Sequence, residues 1–172
     1  WRIACLRYFN PVGAHESGLI GENPNDIPNN LMPFILKVAI NNNTKTNLGS
    51  QFNELKIFGN DYNTKDGSCI RDYIHITDLV DGHVSTLQFL FQQEKILEIF
   101  NLGTGNGVSV FEMIQHMENV IGKKLIVKIG ERRSGDLPVV VSDPTKANTI
   151  LKWFTKKTPL EMCQDLWKFH QT

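Results

Sequence analysis

Apolar and polar positions along the chain form two patterns, short continuous apolar runs and longer stretches with a helical period. The runs predict strands at residues 2–9, 55–58, 98–103 and 125–129. Between them, apolar residues recur every three or four positions, which is typical of amphipathic helices. Short strands that alternate with helices indicate α/β architecture.

Capping residues predict where the helices begin. Asn30 stands directly before an apolar-periodic segment, as a helix cap does. Ser109 and Glu112 have the spacing of a capping box, in which each side chain binds the other residue's backbone N–H. Asp143 and Thr158 each precede a proline, and this pair predicts two further helix starts.

A further helix is predicted to open at Thr77 and Asp78. Its apolar face consists of Val80, Val84, Leu87 and Phe91. An apolar face of this kind is typical of a helix that packs on a core.

Two polar segments predict surface loops. Residues 14–27 are rich in Gly, Asn and Pro, and residues 41–53 are polar and rich in Asn. We expect no chemical role for the second segment, because long surface loops cost little stability.

The strands at residues 2–9 and 98–103 have the apolar character of a covered parallel sheet. The sequence supplies too few further strands to complete such a sheet. Since an uncovered strand edge invites aggregation, we expect this chain to be part of something larger.

Composition narrows the class of partner. The chain has 172 residues with 18 basic and 18 acidic side chains, so its formal net charge is zero. Nucleic acids and anionic membranes select proteins with a basic excess, and neither is expected as a partner. No apolar run approaches the roughly 20 residues that span a bilayer. Three scattered cysteines and the lack of a signal segment predict a reduced, soluble, cytoplasmic protein.

One glycine-rich turn deserves comparison with a dinucleotide-binding loop. Gly103, Gly105 and Gly107 follow a predicted strand and precede a helix. The third glycine of that motif would stand at position 108, which is Val, and no acidic residue ends a strand about twenty positions later. A plain turn between strand and helix is the better interpretation.

Neither a metal site nor a catalytic group is predicted. His75 and His83 lie among three aspartates, but capping and hydrogen bonding are more common roles for such aspartates than metal binding. None of Tyr8, Tyr62 and Tyr73 has a Lys four residues later, so the sequence contains no Tyr-x-x-x-Lys pair.

A set of motifs occurs in one order: RYFNPVGAH, IPNNLMP, FGNDY, IRDYIH, NLGTG and RRSGDLP. Together they closely resemble the UDP-glucose 4-epimerases, within the extended short-chain dehydrogenase/reductase class. The likeness runs from Leu6 to about Trp167. IRDYIH and NLGTG alone would indicate only the class, whereas the full set is far more specific.

The resemblance covers the carboxyl-terminal half of such an enzyme. It implies an α/β fold: the substrate-binding lobe plus the last strands of a Rossmann-type parallel sheet. Residues 1–12 would be the last strand of the nucleotide-binding sheet. Residues 13–172 would be the UDP-sugar domain, with 98–103 returning to the main sheet. The amino-terminal NAD-binding domain is expected to be absent, and the chain alone is expected to be inactive.

The implied function of the full-length protein is inversion of C4 in UDP-glucose and UDP-galactose with NAD as cofactor. UDP-N-acetylhexosamines are further candidate substrates, and a cytoplasmic homodimer is the implied assembly. Two alternatives stay open. One is another nucleotide-sugar enzyme, a decarboxylase or dehydratase, and the other is a catalytically silent module that binds UDP-sugars.

The resemblance also implies which residues contact the ligand. They are Tyr8, Phe9, Asn10, Asn29, Asn30, Leu31, Lys56, Ile57, Phe58, Arg71, Arg133, Asp136 and Val140. Tyr8 would lie where nicotinamide and hexose meet, and Asn10 would bind the hexose. Val140 stands at a position of the hexose pocket, and its compact side chain suggests room for an N-acetyl group.

Roles for the other ligand residues follow from the same resemblance. Arg71 and Arg133 would hold the diphosphate, and two guanidinium forks suit it because each binds bidentately. Asp136 would accept hydrogen bonds from the ribose hydroxyls. The strand around Ile57 would receive the uracil. The segment that ends at Leu31 would contact the diphosphate and sugar, since helix amino termini favour anions.

Overall fold

The computed structural model describes residues 1–43 and 48–172 and has α/β architecture. Its strands are β1 (Arg2–Tyr8), β2 (Asn10–Val12), β3 (Leu55–Phe58), β4 (Ile70–His75), β5 (Ile96–Leu102), β6 (Gly107–Ser109), β7 (Val127–Gly130) and β8 (Val139–Val140). Its helices are α1 (Leu31–Asn43), α2 (Ile76–Phe91), α3 (Val110–Ile121), α4 (Thr145–Leu151) and α5 (Pro159–Gln171), with a 3-10 turn at Ser50–Phe52.

The two strands predicted to share a parallel sheet pair with each other. β1 and β5 run parallel in register from Arg2 opposite Ile96 to Tyr8 opposite Leu102. The other edge of β1 has no neighbour among the described strands. The strand predicted at residues 2–9 is present as β1, but its predicted burial was wrong for this chain, because most β1 residues are exposed.

Strand β4 holds the rest of the fold together. Its first half pairs with β6 in antiparallel and β8 in parallel orientation, and its second half pairs with β2 in parallel. Side chains alternate across a strand. As a result, Tyr73 and Ile74 belong to different apolar clusters. β3 and β7 form a separate parallel pair.

The larger apolar cluster, here the closed core, lies among α1, α3, α5 and the strands they cover. Its fully buried members include Met32, Ile35, Val38, Leu55, Met113, Met117, Met162 and Leu166. The smaller cluster lies between α2, α4 and the β1–β5 pair and consists of Ile74, Leu79, Phe100, Leu102, Ala147, Leu151 and Trp153.

The face of helix α2 that packs against the interior is not the face that the apolar pattern of the sequence predicted. Its buried residues are Asp78, Leu79, Gly82 and Thr86. The apolar residues that the sequence pattern singled out, here the α2 stripe, are all exposed: Val80, Val84, Leu87 and Phe91. The expectation that this stripe packs on the core of the chain was therefore wrong. Asp78 is buried instead because its carboxylate accepts from the backbone N–H groups of Lys156 and Lys157.

The β1–β5 pair is covered on one face only. Leu6 and Phe100 are register partners that point toward the smaller cluster. The alternate residues point to the opposite face, which no described helix covers. This bare sheet face carries the exposed side chains of Ile3, Cys5, Leu97 and Ile99.

Local signals located most helix ends. The capping box at Ser109 is formed as predicted. Thr158 caps α5 before Pro159, also as predicted, and it forms a second capping box with Glu161 that was not predicted. α4 begins one residue later than expected, at Thr145, whose N–H donates to Asp143. The loop predicted from residue 41 was wrong at its start, since α1 runs to Asn43, and residues 44–47 of that loop lie outside the described residues. Within residues 1–43 and 48–172, no helix has the length and apolar character needed to cross a bilayer.

Candidate functional site

A cavity of ≈ 580 Å³ opens between the start of α1, the end of β3, strand β4 and the loop that follows β7. Its size lies within the range of small-molecule sites. Its lining residues come from six separate parts of the chain, so it exists only once the closed core has formed.

The cavity brings together most of the ligand residues expected from the sequence. Those that line it are Phe9, Asn10, Asn29, Asn30, Leu31, Lys56, Ile57, Phe58, Arg71, Arg133 and Asp136. Tyr8 and Val140 do not line it. Val140 lies in β8 directly opposite Arg71, half-buried.

Strand β4 gives the cavity one wall. Arg71 and Tyr73 are two residues apart and therefore share a face of the strand, and Cys69 continues that face. Sequence reasoning missed Cys69 and Tyr73 as lining residues, although this spacing from Arg71 was a usable signal. Burial raises the pKa of Tyr73 well above its ordinary value, so its phenol stays neutral.

Arg71 is held in place by its own backbone surroundings. One of its terminal nitrogens, Nη1, donates to the carbonyl oxygens of Ile70 and Leu137, each at 2.8 Å. Its other terminal nitrogen, Nη2, lies 3.7 Å from a carboxylate oxygen of Asp136. The Arg71 side chain is 19% exposed. Its guanidinium is thus anchored at one end and available at the other.

Arg133 makes two contacts at the mouth of the cavity. Its Nε and Nη2 groups donate to the two oxygens of Asp136 at 2.9 and 3.2 Å. Its guanidinium carbon lies 4.7 Å from the centre of the Phe58 ring, and the Lys56 amine lies 5.3 Å from the same centre. Phe58 is half-buried and not part of the closed core, so its ring is a surface for stacking rather than for core packing.

The charges that line the cavity are unbalanced. Lys56, Arg71 and Arg133 are cationic and Asp136 is the one anionic side chain among the lining residues. The whole chain, by contrast, has a formal net charge of zero. A concave site with this local excess attracts anions.

The amino terminus of α1 adds a second anion-binding element. Asn29 and Asn30 are exposed at the rim, and α1 begins at Leu31. The first backbone N–H groups of a helix have no partner within it and carry part of the helix dipole. Asn10 also lines the cavity, and its side-chain amide donates to the backbone oxygen of Asp72 at 3.0 Å.

Tyr8 lies at a second place, at the carboxyl end of β1. Its phenol oxygen is 2.8 Å from Nε2 of His83, and Nδ1 of His83 is 2.8 Å from the backbone oxygen of Leu79. The carbonyl can only accept, so Nδ1 carries the proton and Nε2 accepts from the phenol. Tyr8 is 52% exposed. Sequence reasoning did not foresee this role of His83, since the two residues are 75 positions apart.

The glycine turn after β5 is occupied by a carboxylate of the chain itself. The backbone N–H groups of Thr104 and Gly105 donate to Asp72 at 2.9 and 3.0 Å, and Ser142 donates to it from its backbone and its hydroxyl. A Cβ at Gly103 would lie 2.7 Å from Asp72. This turn therefore binds an internal anion and is not available to a cofactor phosphate, in agreement with the interpretation as a plain turn.

His75 is likewise engaged inside the protein. Its Nε2 lies 3.1 Å from Asp165, and its Nδ1 accepts from the N–H of Thr77 as the cap of α2. Burial lowers the pKa of His75 despite the nearby Asp165 carboxylate. These contacts give His75 a structural role at the junction of α2 and α5.

Comparison with known proteins identifies the family to which the chain belongs. The family described as "NAD dependent epimerase/dehydratase family" matches residues 1–103, and the chain belongs to this family. It is 50% identical over 170 residues to the bifunctional UDP-glucose 4-epimerase and UDP-xylose 4-epimerase 3 of Arabidopsis thaliana. That match covers 98% of this chain and 46% of the plant protein.

Solved structures agree in fold. A UDP-glucose 4-epimerase from Stenotrophomonas maltophila, with bound NAD and formylated UDP-arabinopyranose, matches with a TM-score of 0.90 and 44% identity. The match covers 99% of this chain and 48% of that one. The enzyme from Bifidobacterium longum, in complex with NAD+ and UDP, matches with a TM-score of 0.88 and 40% identity, over 99% and 48% of the two chains. This chain spans about half the length of the relatives it matches.

Proposed function

We propose that this chain is part of a UDP-glucose 4-epimerase that interconverts UDP-glucose and UDP-galactose, and that its own task is to hold the uridine diphosphate. One observation carries the proposal. Arg71 and Arg133, which are 62 positions apart in sequence, both line one cavity of suitable size together with an aromatic ring and a helix amino terminus. Family membership and relatives that bind UDP support it.

The contacts suggest how a nucleoside diphosphate would lie. Its diphosphate would bind between Arg71 and Arg133, near the start of α1, where cations and free N–H groups converge. The uracil would lie along β3 against Phe58. Asp136 would accept from the ribose hydroxyls, and Asn10 would reach the hexose. Strong contacts at the nucleotide end leave the sugar free to turn, so binding energy comes from the part that does not react.

NAD is the cofactor of the family, and this chain would meet it only at an edge. When bound, NAD supplies the acceptor for the hydride of C4. Tyr8, whose phenol is held by His83 and exposed at the end of β1, is the group of this chain that fits such a contact. Because Asp72 fills the glycine turn, the cofactor phosphates would be bound by a different part of the full-length protein.

We further propose that a nucleotide-binding unit of the full-length protein covers the α2 stripe and the bare sheet face, with residues 1–12 as one strand of its sheet. Parallel sheets are normally covered on both faces, which supports this arrangement. A cytoplasmic homodimer is part of the same proposal, and sedimentation of the full-length protein tests the dimer.

Acceptance of UDP-N-acetylhexosamines is proposed from Val140 alone. Val140 does not line the cavity of this chain, so the substrate itself has to be tried. The full-length protein should turn over UDP-N-acetylglucosamine, and complete inactivity on it would overturn this part of the proposal.

Calorimetric titration with UDP tests the central claim. Arg71→Ala should weaken UDP binding by about 2–5 kcal/mol, the range for removing one partner of a desolvated charge pair, because the Arg71 side chain is largely buried. Arg133→Ala should also weaken it, but by less, because the Arg133 side chain is 56% exposed. Arg132→Ala is the matched control, because Arg132 pairs with Asp61 outside this cavity. UDP affinity that is unchanged in both site variants would contradict the assignment. Mixed with NAD and UDP-galactose, the chain alone should show no turnover.

A further inference from the structure

The carboxylate of Asp136 already contacts the two guanidinium groups, of Arg71 and Arg133, that are proposed to bind the diphosphate. Both of its oxygens accept from Arg133, at 2.9 and 3.2 Å, and one lies 3.7 Å from Arg71. The Asp136 side chain is 18% exposed, so this carboxylate is largely withdrawn from water. The two guanidinium groups therefore share one internal counter-ion.

The same contacts restrict entry of an anion. Arg71 has its Nη1 committed to two backbone carbonyls, which leaves the side that faces Asp136 for any further acceptor. Arg133 presents Nε and Nη2 to the carboxylate while its plane lies over Phe58. A diphosphate between the arginines competes with Asp136 for these N–H groups. A carboxylate displaced in a largely buried place needs new donors, because an unpaired buried charge is costly.

We propose that Asp136 makes capture of a diphosphate conditional on an attached nucleoside. Ribose hydroxyls donate to a displaced carboxylate in short, charge-assisted hydrogen bonds and so compensate it. A bare pyrophosphate carries no such donors and leaves Asp136 unpaired. The inference rests on the proposed function and adds to it a residue that sets ligand specificity by repulsion as well as by attraction.

Titration of one protein with two ligands tests this. Calorimetry with UDP and with inorganic pyrophosphate would be done on the wild type, Asp136→Asn and Asp136→Ser. Removing the Asp136 carboxylate should strengthen pyrophosphate binding by about tenfold, because a negative charge close to the anionic ligand is lost. UDP binding should stay equal or weaken, so the preference for UDP over pyrophosphate should fall by about tenfold or more.

Asp61→Asn is the matched control. Asp61 also pairs with an arginine that lies over an aromatic ring, Arg132 over Tyr62, but outside the cavity. That variant should bind both ligands as the wild type does. Circular dichroism would confirm that each variant is folded. Two different substitutions at position 136 are used so that the test can still be made if one of the two variants does not fold.

The outcomes separate the two claims. A wild type that binds UDP, with variants at position 136 that bind pyrophosphate no more tightly, would overturn the role of Asp136 and leave the proposed function intact. A wild type that binds no UDP would overturn both.

Discussion

The closed core and the β1–β5 region of this chain differ in how far their apolar side chains are buried. In the closed core, three helices and the strands beneath them bury nearly every apolar side chain, among them Met113 and Met117. Around β1 and α2, apolar side chains such as Leu87 and Leu97 are exposed in rows. In the closed core, the residues that form the apolar pattern are buried. In the β1–β5 region the sequence has a similar apolar pattern, but no described element covers those side chains. The difference teaches that an apolar periodicity does not by itself guarantee that the face is buried within the chain that carries it.

Leucine truncation measures this contrast most directly. Leu166 on α5 is 2% exposed and Leu87 on α2 is 54% exposed. Leu166→Ala should lower the free energy of unfolding by about 2–5 kcal/mol, because it removes buried contacts and leaves a cavity. Leu87→Ala should change it by less than about 0.5 kcal/mol. Urea denaturation of both variants checks this, and equal losses would remove the distinction between the regions.

Asp72 joins the two regions, and its loss should be nearly as costly. Its buried carboxylate accepts from Thr104, Gly105 and Ser142, and thereby fastens the turn after β5 to β4. Asp72→Ala should cost about 2–4 kcal/mol, since several buried donors lose their acceptor.

The control for Asp72 is a surface aspartate. Asp81→Ala removes an exposed ion pair with Lys156 and should cost at most about 1 kcal/mol. Thermal or urea unfolding of both variants would reveal the ranking, and a loss at Asp81 as large as that at Asp72 would refute it.

The uncovered apolar surface should make the chain self-associate. Exposed apolar rows and a free strand edge are interaction sites or aggregation liabilities. Leu87→Glu combined with Phe91→Lys should weaken association by about tenfold or more, as the loss of buried apolar area predicts. Leu19→Lys combined with Ile20→Glu alters two equally exposed side chains in the loop before α1 and should have little effect. Sedimentation velocity at rising protein concentration measures the association of both double variants. Equal weakening of association in the two would argue against a specific interaction surface at the α2 stripe.

A smaller effect is expected from pH. Burial lowers the pKa of His75 in the folded chain below its ordinary value near 6.5. The unfolded state then takes up a proton first as the pH falls, so the stability that neutral His75 contributes is present above pH ~6.5 and is lost on acidification toward the folded pKa. The slope cannot exceed about 1.4 kcal/mol per pH unit for one proton.

The His75→Asn variant tests that sign. Its difference in unfolding free energy from the wild type should narrow between pH 7.5 and 5, as measured by urea titration at each pH. His15→Asn, at an exposed loop position, should leave the pH profile of the wild type in place. A difference that widens on acidification would show the opposite shift of the pKa.

Local pattern was sufficient for much of the fold. The capping box at Ser109, the cap at Thr158 and the membership of residues 2–9 and 98–103 in a parallel sheet followed from short-range signals and apolar runs. Strand β8 was missed because two residues between a loop and a helix carry too little periodicity. The inward face of α2 was also misjudged, since its apolar stripe is exposed in this chain.

The candidate site divides in the same way. Resemblance to the family placed Arg71, Arg133 and Phe58 among the expected ligand residues, because the motifs that contain them can be read from the sequence. The ion pairs of Asp136, the anchoring of Arg71 on Leu137 and the contact of Tyr8 with His83 join residues brought together only by packing. Sequence alone thus established the α/β class, the caps at Ser109 and Thr158 and the resemblance to the family. Which charges meet, and which apolar faces stay uncovered, depends on contacts between distant segments, and these form only when the tertiary structure closes.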